Sequence, residues 1–135
     1  NGGPIYAECG GLIYLTERMQ LAPGFAGVDE RRSYDLVGVF AGEARVPAQR
    51  RLGYVVGTSA RESPMGQAMF RGHEFHYSTV HLAPGTRYAY RLTRGSGIHD
   101  GSDGAVQDQT IASYVHLHPV TSREMLANFV ECCRS

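Results

Sequence analysis

Apolar residues in this chain come mostly in short runs, or alternate with polar ones, which is the pattern of strands rather than long helices. Pro4-Ile5-Tyr6-Ala7 is a short apolar run and reads as a buried strand. Cys9-Gly10-Gly11 follows, and then Leu12, Ile13, Leu15 and Met19 recur at near-helical spacing. The opening segment therefore predicts strand, tight turn and helix. A polar loop runs from Pro23-Gly24 to Arg32, and Leu36 to Phe40 has the length and apolarity of a strand. Leu52 to Thr58, Gln67 to Val80 and Arg87 to Leu92 predict three further strands. Gly95 to Gly104 reads as a loop, and Ala105–Asp108 with Ile111–His118 as a last strand pair stopped by Pro119. Thr121-Ser122-Arg123-Glu124 matches a capping box ahead of a terminal helix with Met125, Leu126, Phe129 and Val130 on its apolar face.

A strand–turn–helix unit at the very start has no preceding βα unit to pack beside it. A parallel sheet normally needs such units on both faces. The expectation is an α/β domain over residues 1–135 whose earlier part lies outside the chain.

At 135 residues the length fits one domain. Thirteen basic residues balance thirteen acidic ones, so no net field favours nucleic acid or an anionic membrane. Every basic residue is Arg, which removes a lysine Schiff base and a phosphate-binding lysine from this chain. No apolar run approaches a membrane span of about 18 residues, and a cytoplasmic location is expected. The three cysteines, Cys9, Cys132 and Cys133, include no C-x-x-C pair, against both a disulfide framework and a zinc ribbon.

Cys9 stands apart. A nucleophile elbow seats its nucleophile on a sharp turn between strand and helix, with small residues two before and two after; here these are Ala7 and Gly11. The helix N-terminus is expected to lower the thiol pKa, and the Gly10 N–H to face a developing oxyanion. A buried structural cysteine in a glycine-rich turn fits the same five residues. A cysteine nucleophile needs a base, usually His. His116 and His118 lie two apart on a predicted strand with Tyr114, so the three share a face. Glu74 and His76 share one face of another strand, and His73, Phe75 and Tyr77 the other. These histidines also permit a three-ligand metal site, but without a recognised spacing.

Three segments together carry a resemblance: Pro4 to Leu12, Gly72-His73-Glu74-Phe75-His76-Tyr77-Ser78, and Ala112-Ser113-Tyr114-Val115-His116-Leu117-His118. In this order they resemble the C-terminal glutaminase domains of the cobyrinic acid a,c-diamide synthase family, which are class I (triad-type) glutamine amidotransferases. The resemblance implies a flavodoxin-like α/β fold and glutamine hydrolysis through a cysteine thioester. Ammonia would then pass to an N-terminal domain, absent here, in which ATP and Mg2+ activate the a- and c-carboxylates of a corrinoid. It implies Cys9 as nucleophile, His116 as general base and Gly10 as an oxyanion donor, with Glu74, His76 and His118 in supporting places. No metal and no cofactor are expected on this chain; glutamine is its expected partner, and a homodimer is left open. The wider class has a Glu two residues after its histidine, where this chain has His118, so the group orienting His116 is left open among Glu74, a neighbouring domain and none. Hydrogenobyrinic acid or nickel sirohydrochlorin are alternative acceptors; a non-catalytic or metal-binding fragment is the alternative of another class.

Overall fold

The structure, a computed structural model, describes residues 2–135. Its elements run β1 (Ile5–Glu8), α1 (Gly10–Tyr14), β2 (Thr16–Leu21), β3 (Arg32–Asp35), β4 (Phe40–Val46), β5 (Arg51–Ser59), β6 (Ala68–His76), β7 (Thr79–Leu82), β8 (Arg87–Arg94), β9 (Ser102–Gln107), β10 (Thr110–Ser113), β11 (His116–Leu117) and α2 (Arg123–Cys132). A seven-stranded sheet has the order β1-β10-β9-β8-β5-β6-β11, and a four-stranded sheet the order β3-β2-β4-β7. The β1–β10 and β2–β4 pairs are parallel. The remaining pairs are antiparallel.

Successive side chains on a strand point to opposite faces, and the large sheet uses both. Val106 and Ile111 face one core with Phe70, Tyr90 and Met125, against which Leu126 and Phe129 of α2 pack. Their neighbours Ala105 and Ala112 face a second core with Leu12 and Leu15, Phe40, Ala44 and Val80. The large sheet is thus covered by α2 on one face, and by α1 and the small sheet on the other. That three-layer mixed α/β arrangement agrees with the fold expected from the sequence.

Local polar contacts shift several boundaries. The first helix ends at Tyr14 instead of running to Met19, because buried Thr16 turns its hydroxyl back onto the Ile13 carbonyl at 2.8 Å. Its successors Met19 and Leu21 belong to β2. Leu36 to Val39 is not a strand: the Leu36, Val37 and Gly38 amides donate to the carbonyls of Glu17, Tyr14 and Thr16. The stretch from Gln67 to Val80 divides at Tyr77–Ser78, passing from one sheet to the other. β1 lies at a sheet edge, with Ile5 exposed instead of buried. At α2 the N-cap is Ser122, which makes no side-chain capping bond, and the Thr121 hydroxyl donates to His118 O instead, so the capping box does not form.

The break between β10 and β11 matters most. Asp103, fully buried on β9, accepts the Tyr114 and Val115 amides, one on each carboxylate oxygen, both at 3.0 Å. Satisfying those two amides off the ladder ends β10 at Ser113 and redirects the chain. β11 then pairs with β6, at the opposite edge of the sheet from β10. Only Tyr114 and Val115 separate the two strands, so the sheet curls until its edges meet.

Candidate active site

Cys9 sits between β1 and α1 with φ 49° and ψ −101°, a conformation that costs a non-glycine residue about 1–3 kcal/mol. Ala7 and Gly11 make this turn feasible. A Cβ on Gly11 would lie 3.0 Å from Ala7 Cβ, so a larger side chain at either position would push strand and helix apart. The Cys9 amide donates to Ser113 O at 2.7 Å, tying the turn to the end of β10. The thiol lies 3.7 Å from the Phe75 carbonyl of β6. Burial pushes the Cys9 thiol up; the Gly10 N–H opposes this, and the Glu8 charge adds to it. The net direction is opposite to that expected from the helix N-terminus. A five-residue helix contributes little dipole, and desolvation outweighs it.

The residue before the nucleophile reaches across the closed sheet. Glu8 Oε2 lies 3.1 Å from His116 Nδ1, and Glu8 Oε1 accepts the Leu117 amide at 3.0 Å and the Tyr6 hydroxyl. Among the described residues, His116 Nε2 has no hydrogen-bond partner. The His116 ring stacks on that of His73 at 4.9 Å and 12°, which fixes its plane from the β6 side. Close backbone approach permits this: a Cβ on Gly72 would stand 2.2 Å from His116 O. Glu8 and Cys9 are adjacent in sequence, and Phe75 and His73 are two apart on one strand. The elbow and the imidazole therefore share one end of the β1–β6–β11 junction.

The other candidate histidines are placed differently. His76 is buried with Nε2 3.0 Å from Glu74 Oε2 and Nδ1 3.1 Å from Ser78 O. Its ring stacks on Tyr114 at 3.7 Å, and the Tyr114 hydroxyl meets Ser78 Oγ at 2.8 Å. Glu74 Oε1 also accepts the Ser96 and Gly97 amides, each at 2.8 Å. Burial alone would raise the Glu74 carboxyl, but the bonds from His76, Gly97 and Ser96 together leave it below the ordinary value. Both nitrogens of His76 are occupied, so the Glu74–His76 pair ties β6 to the loop before β9 and leaves no lone pair for a thiol. Tyr114, His116 and His118 do not share a face. Tyr114 is buried in the second core, His116 is half-buried, and His118 is exposed beyond β11. Among the described residues no group of three or more His, Cys, Asp or Glu is arranged to hold a metal ion.

Four contributors escaped the sequence reading. Glu8 lay inside the elbow motif, and its signal was a charge in an otherwise apolar strand. Asp103 was hidden in a segment read as loop. His73 and Gly72 belonged to a quoted segment, but their contact with His116 depends on pairing between β6 and β11, which local pattern does not encode.

Comparison with known proteins agrees with this geometry. Residues 1–124 match the model of the CobB/CobQ-like glutamine amidotransferase domain. The chain is 38% identical over 142 residues to cobyrinate a,c-diamide synthase of Methanosarcina barkeri, covering 99% of this chain and 29% of that protein. It is 35% identical over 121 residues to the enzyme of that name from Listeria monocytogenes, covering 87% and 25%. The chain thus spans between a quarter and a third of the length of these relatives. A crystal structure of a glutamine amidotransferase superposes with a TM-score of 0.51 at 17% identity, over 98% of this chain and 61% of that one, and shows the shared fold. Among the described residues no helix is long and apolar enough to cross a membrane. Elbow, motif order and family match converge, and the chain belongs to the CobB/CobQ-like glutamine amidotransferase family.

Proposed function

We propose that this chain is the glutamine-hydrolysing part of a larger cytoplasmic amidoligase, with Cys9 as nucleophile and His116 as general base. The observation that carries the reading is a strained cysteine elbow beside an imidazole with one nitrogen held by a carboxylate and the other free. His116 Nε2 takes the thiol proton as Cys9 Sγ attacks the γ-carboxamide carbon of glutamine. The Gly10 N–H faces the oxyanion of the tetrahedral adduct. Collapse breaks the C–N bond, and the His116 proton leaves with nitrogen as ammonia. A water molecule, deprotonated by the same nitrogen, then hydrolyses the γ-glutamyl thioester to glutamate and free thiol.

The named relatives point to cobyrinate as the acceptor, amidated at its a- and c-carboxylates by ATP-dependent chemistry outside this chain. Hydrogenobyrinic acid and nickel sirohydrochlorin are acceptors that the same glutaminase would serve. In the synthetase that carries this chain, Cys9→Ser is expected to abolish amidation from glutamine and to preserve amidation from ammonium salts. Loss of both activities, or retention of both, would contradict the proposal.

A further inference from the structure

We infer that Glu8 is the positioning carboxylate of this site, fixing the tautomer and orientation of His116 from the residue that directly precedes the nucleophile. The inference rests on the glutaminase reading for its kinetic consequence but not for its geometry. An ionised carboxylate only accepts hydrogen bonds, and Glu8 meets donors from two elements: the Tyr6 hydroxyl of β1 and the Leu117 amide of β11. Its remaining oxygen faces His116 Nδ1 at 3.1 Å. With the carboxylate ionised, that nitrogen must carry the proton. Nε2 then holds the lone pair, which is the form a general base needs.

Among the described residues no other carboxylate takes this place. Glu74 is spent on His76, Ser96 and Gly97, and Asp103 on the amides of Tyr114 and Val115. His118, two residues after the base, has no carboxylate to offer, so the orienting group comes from the far end of the sequence. The same residue closes the sheet. By accepting Leu117 N–H, Glu8 joins β1 to β11 at the two free edges and sets the position of the backbone that bears His116.

The arrangement has a second consequence. The groups around Glu8 are Tyr6 on its own strand, Cys9 beyond the turn, and His116 of β11 with His73 of β6 stacked behind it. A negative charge there disfavours a thiolate at Cys9. Glu8 thus helps the base while holding back the thiol, a combination that a purely structural residue would not show.

The test is Glu8→Gln, with Glu8→Asp beside it, in the synthetase that carries this chain and in the 135-residue chain. Gln keeps an oxygen for Leu117 N–H but turns an NH2 toward His116 Nδ1, which selects the wrong tautomer. We expect kcat for glutamine hydrolysis to fall on the order of 10²–10⁴-fold with KM nearly unchanged, and Asp to restore part of it. Long-range 1H–15N spectra should show His116 protonated at Nδ1 in the wild type and at Nε2 in Glu8→Gln. The pH midpoint for Cys9 alkylation by iodoacetamide should move down in the same variant. A wild-type Nε2–H tautomer, or a folded Glu8→Gln variant with kcat within about threefold of wild type, would overturn the inference. If the wild type hydrolyses no glutamine, the glutaminase reading fails; the tautomer and alkylation results still decide the role of Glu8.

Discussion

Substituting Ala for Gly72 tests how the fold delivers His116 to its place. A Cβ at this position would stand 2.2 Å from His116 O and 2.9 Å from a Val115 methyl. Carbon–oxygen contacts between strands are normally about 3.3–3.6 Å, so β11 must retreat by about 1 Å. The obstacle is backbone and cannot rotate aside. The strand that retreats has two residues, paired with β6 at His116↔His73 and Leu117↔Gly72. Its other ties, from Glu8 at 3.0 and 3.1 Å, would stretch past hydrogen-bonding range. Overpacking costs about 1–3 kcal/mol and each of the two lost bonds about 1 kcal/mol net, so Gly72→Ala should lose about 3–5 kcal/mol in urea denaturation. Misplacing the proposed base by this distance should lower glutamine hydrolysis on the order of 100-fold. Gly53 on β5 is the control, because a Cβ there meets nothing within 4 Å. Gly53→Ala should stay within about 0.5 kcal/mol of wild type and keep its activity. A Gly72→Ala protein with wild-type stability and turnover would refute the claim that this close approach places the imidazole.

Cys9→Gly should be more stable than Cys9→Ala by about 1 kcal/mol, because only Gly relieves a φ of 49°; equal or reversed urea midpoints would show the turn to be unstrained. His116→Ala should abolish glutamine hydrolysis in a steady-state assay. His118→Ala should act more mildly, since its exposed ring has no hydrogen-bond partner among the described residues; equal damage would reverse the two roles. The Glu74 carboxyl is held below its ordinary value in the folded state, so its stabilising contribution is full above about pH 4.5 and fades as pH falls through the depressed value. The stability advantage of wild type over Glu74→Gln, read from urea midpoints at several pH values, should therefore shrink in acid and not grow.

What could be read from the sequence was what local chemistry determines. The elbow depended on Ala7, Cys9 and Gly11 at fixed offsets, and the 3.0 Å gap between Gly11 and Ala7 shows why that spacing is required. Strands β5 and β8 and the α2 face of Met125, Leu126 and Phe129 followed from period. Errors arose where one polar side chain overrode period. Thr16 ended a helix that apolar spacing would have continued, and Asp103 bent a strand whose alternation ran on through His118. The sequence leaves the group orienting His116 open among Glu74, a neighbouring domain and none. The carboxylate that meets His116 Nδ1 is Glu8, 108 positions away in sequence and made adjacent by the curl of the seven-stranded sheet. Such contacts are a product of strand order, which no periodicity in β1 or β11 expresses.

The central claim is that Cys9 is a nucleophile that reacts with the glutamine carboxamide. Its most direct test is peptide mapping after exposure to an electrophilic glutamine analogue, on this chain and on the larger synthetase proposed to carry it. The account predicts one adduct, on Cys9, in the complete synthetase. Excess glutamine should block it, and neither Cys132 nor Cys133 should be modified. Labelling confined to the complete synthetase would fit a site completed outside this chain. Failure of Cys9 to label in either form, or labelling that glutamine does not suppress, would contradict the account.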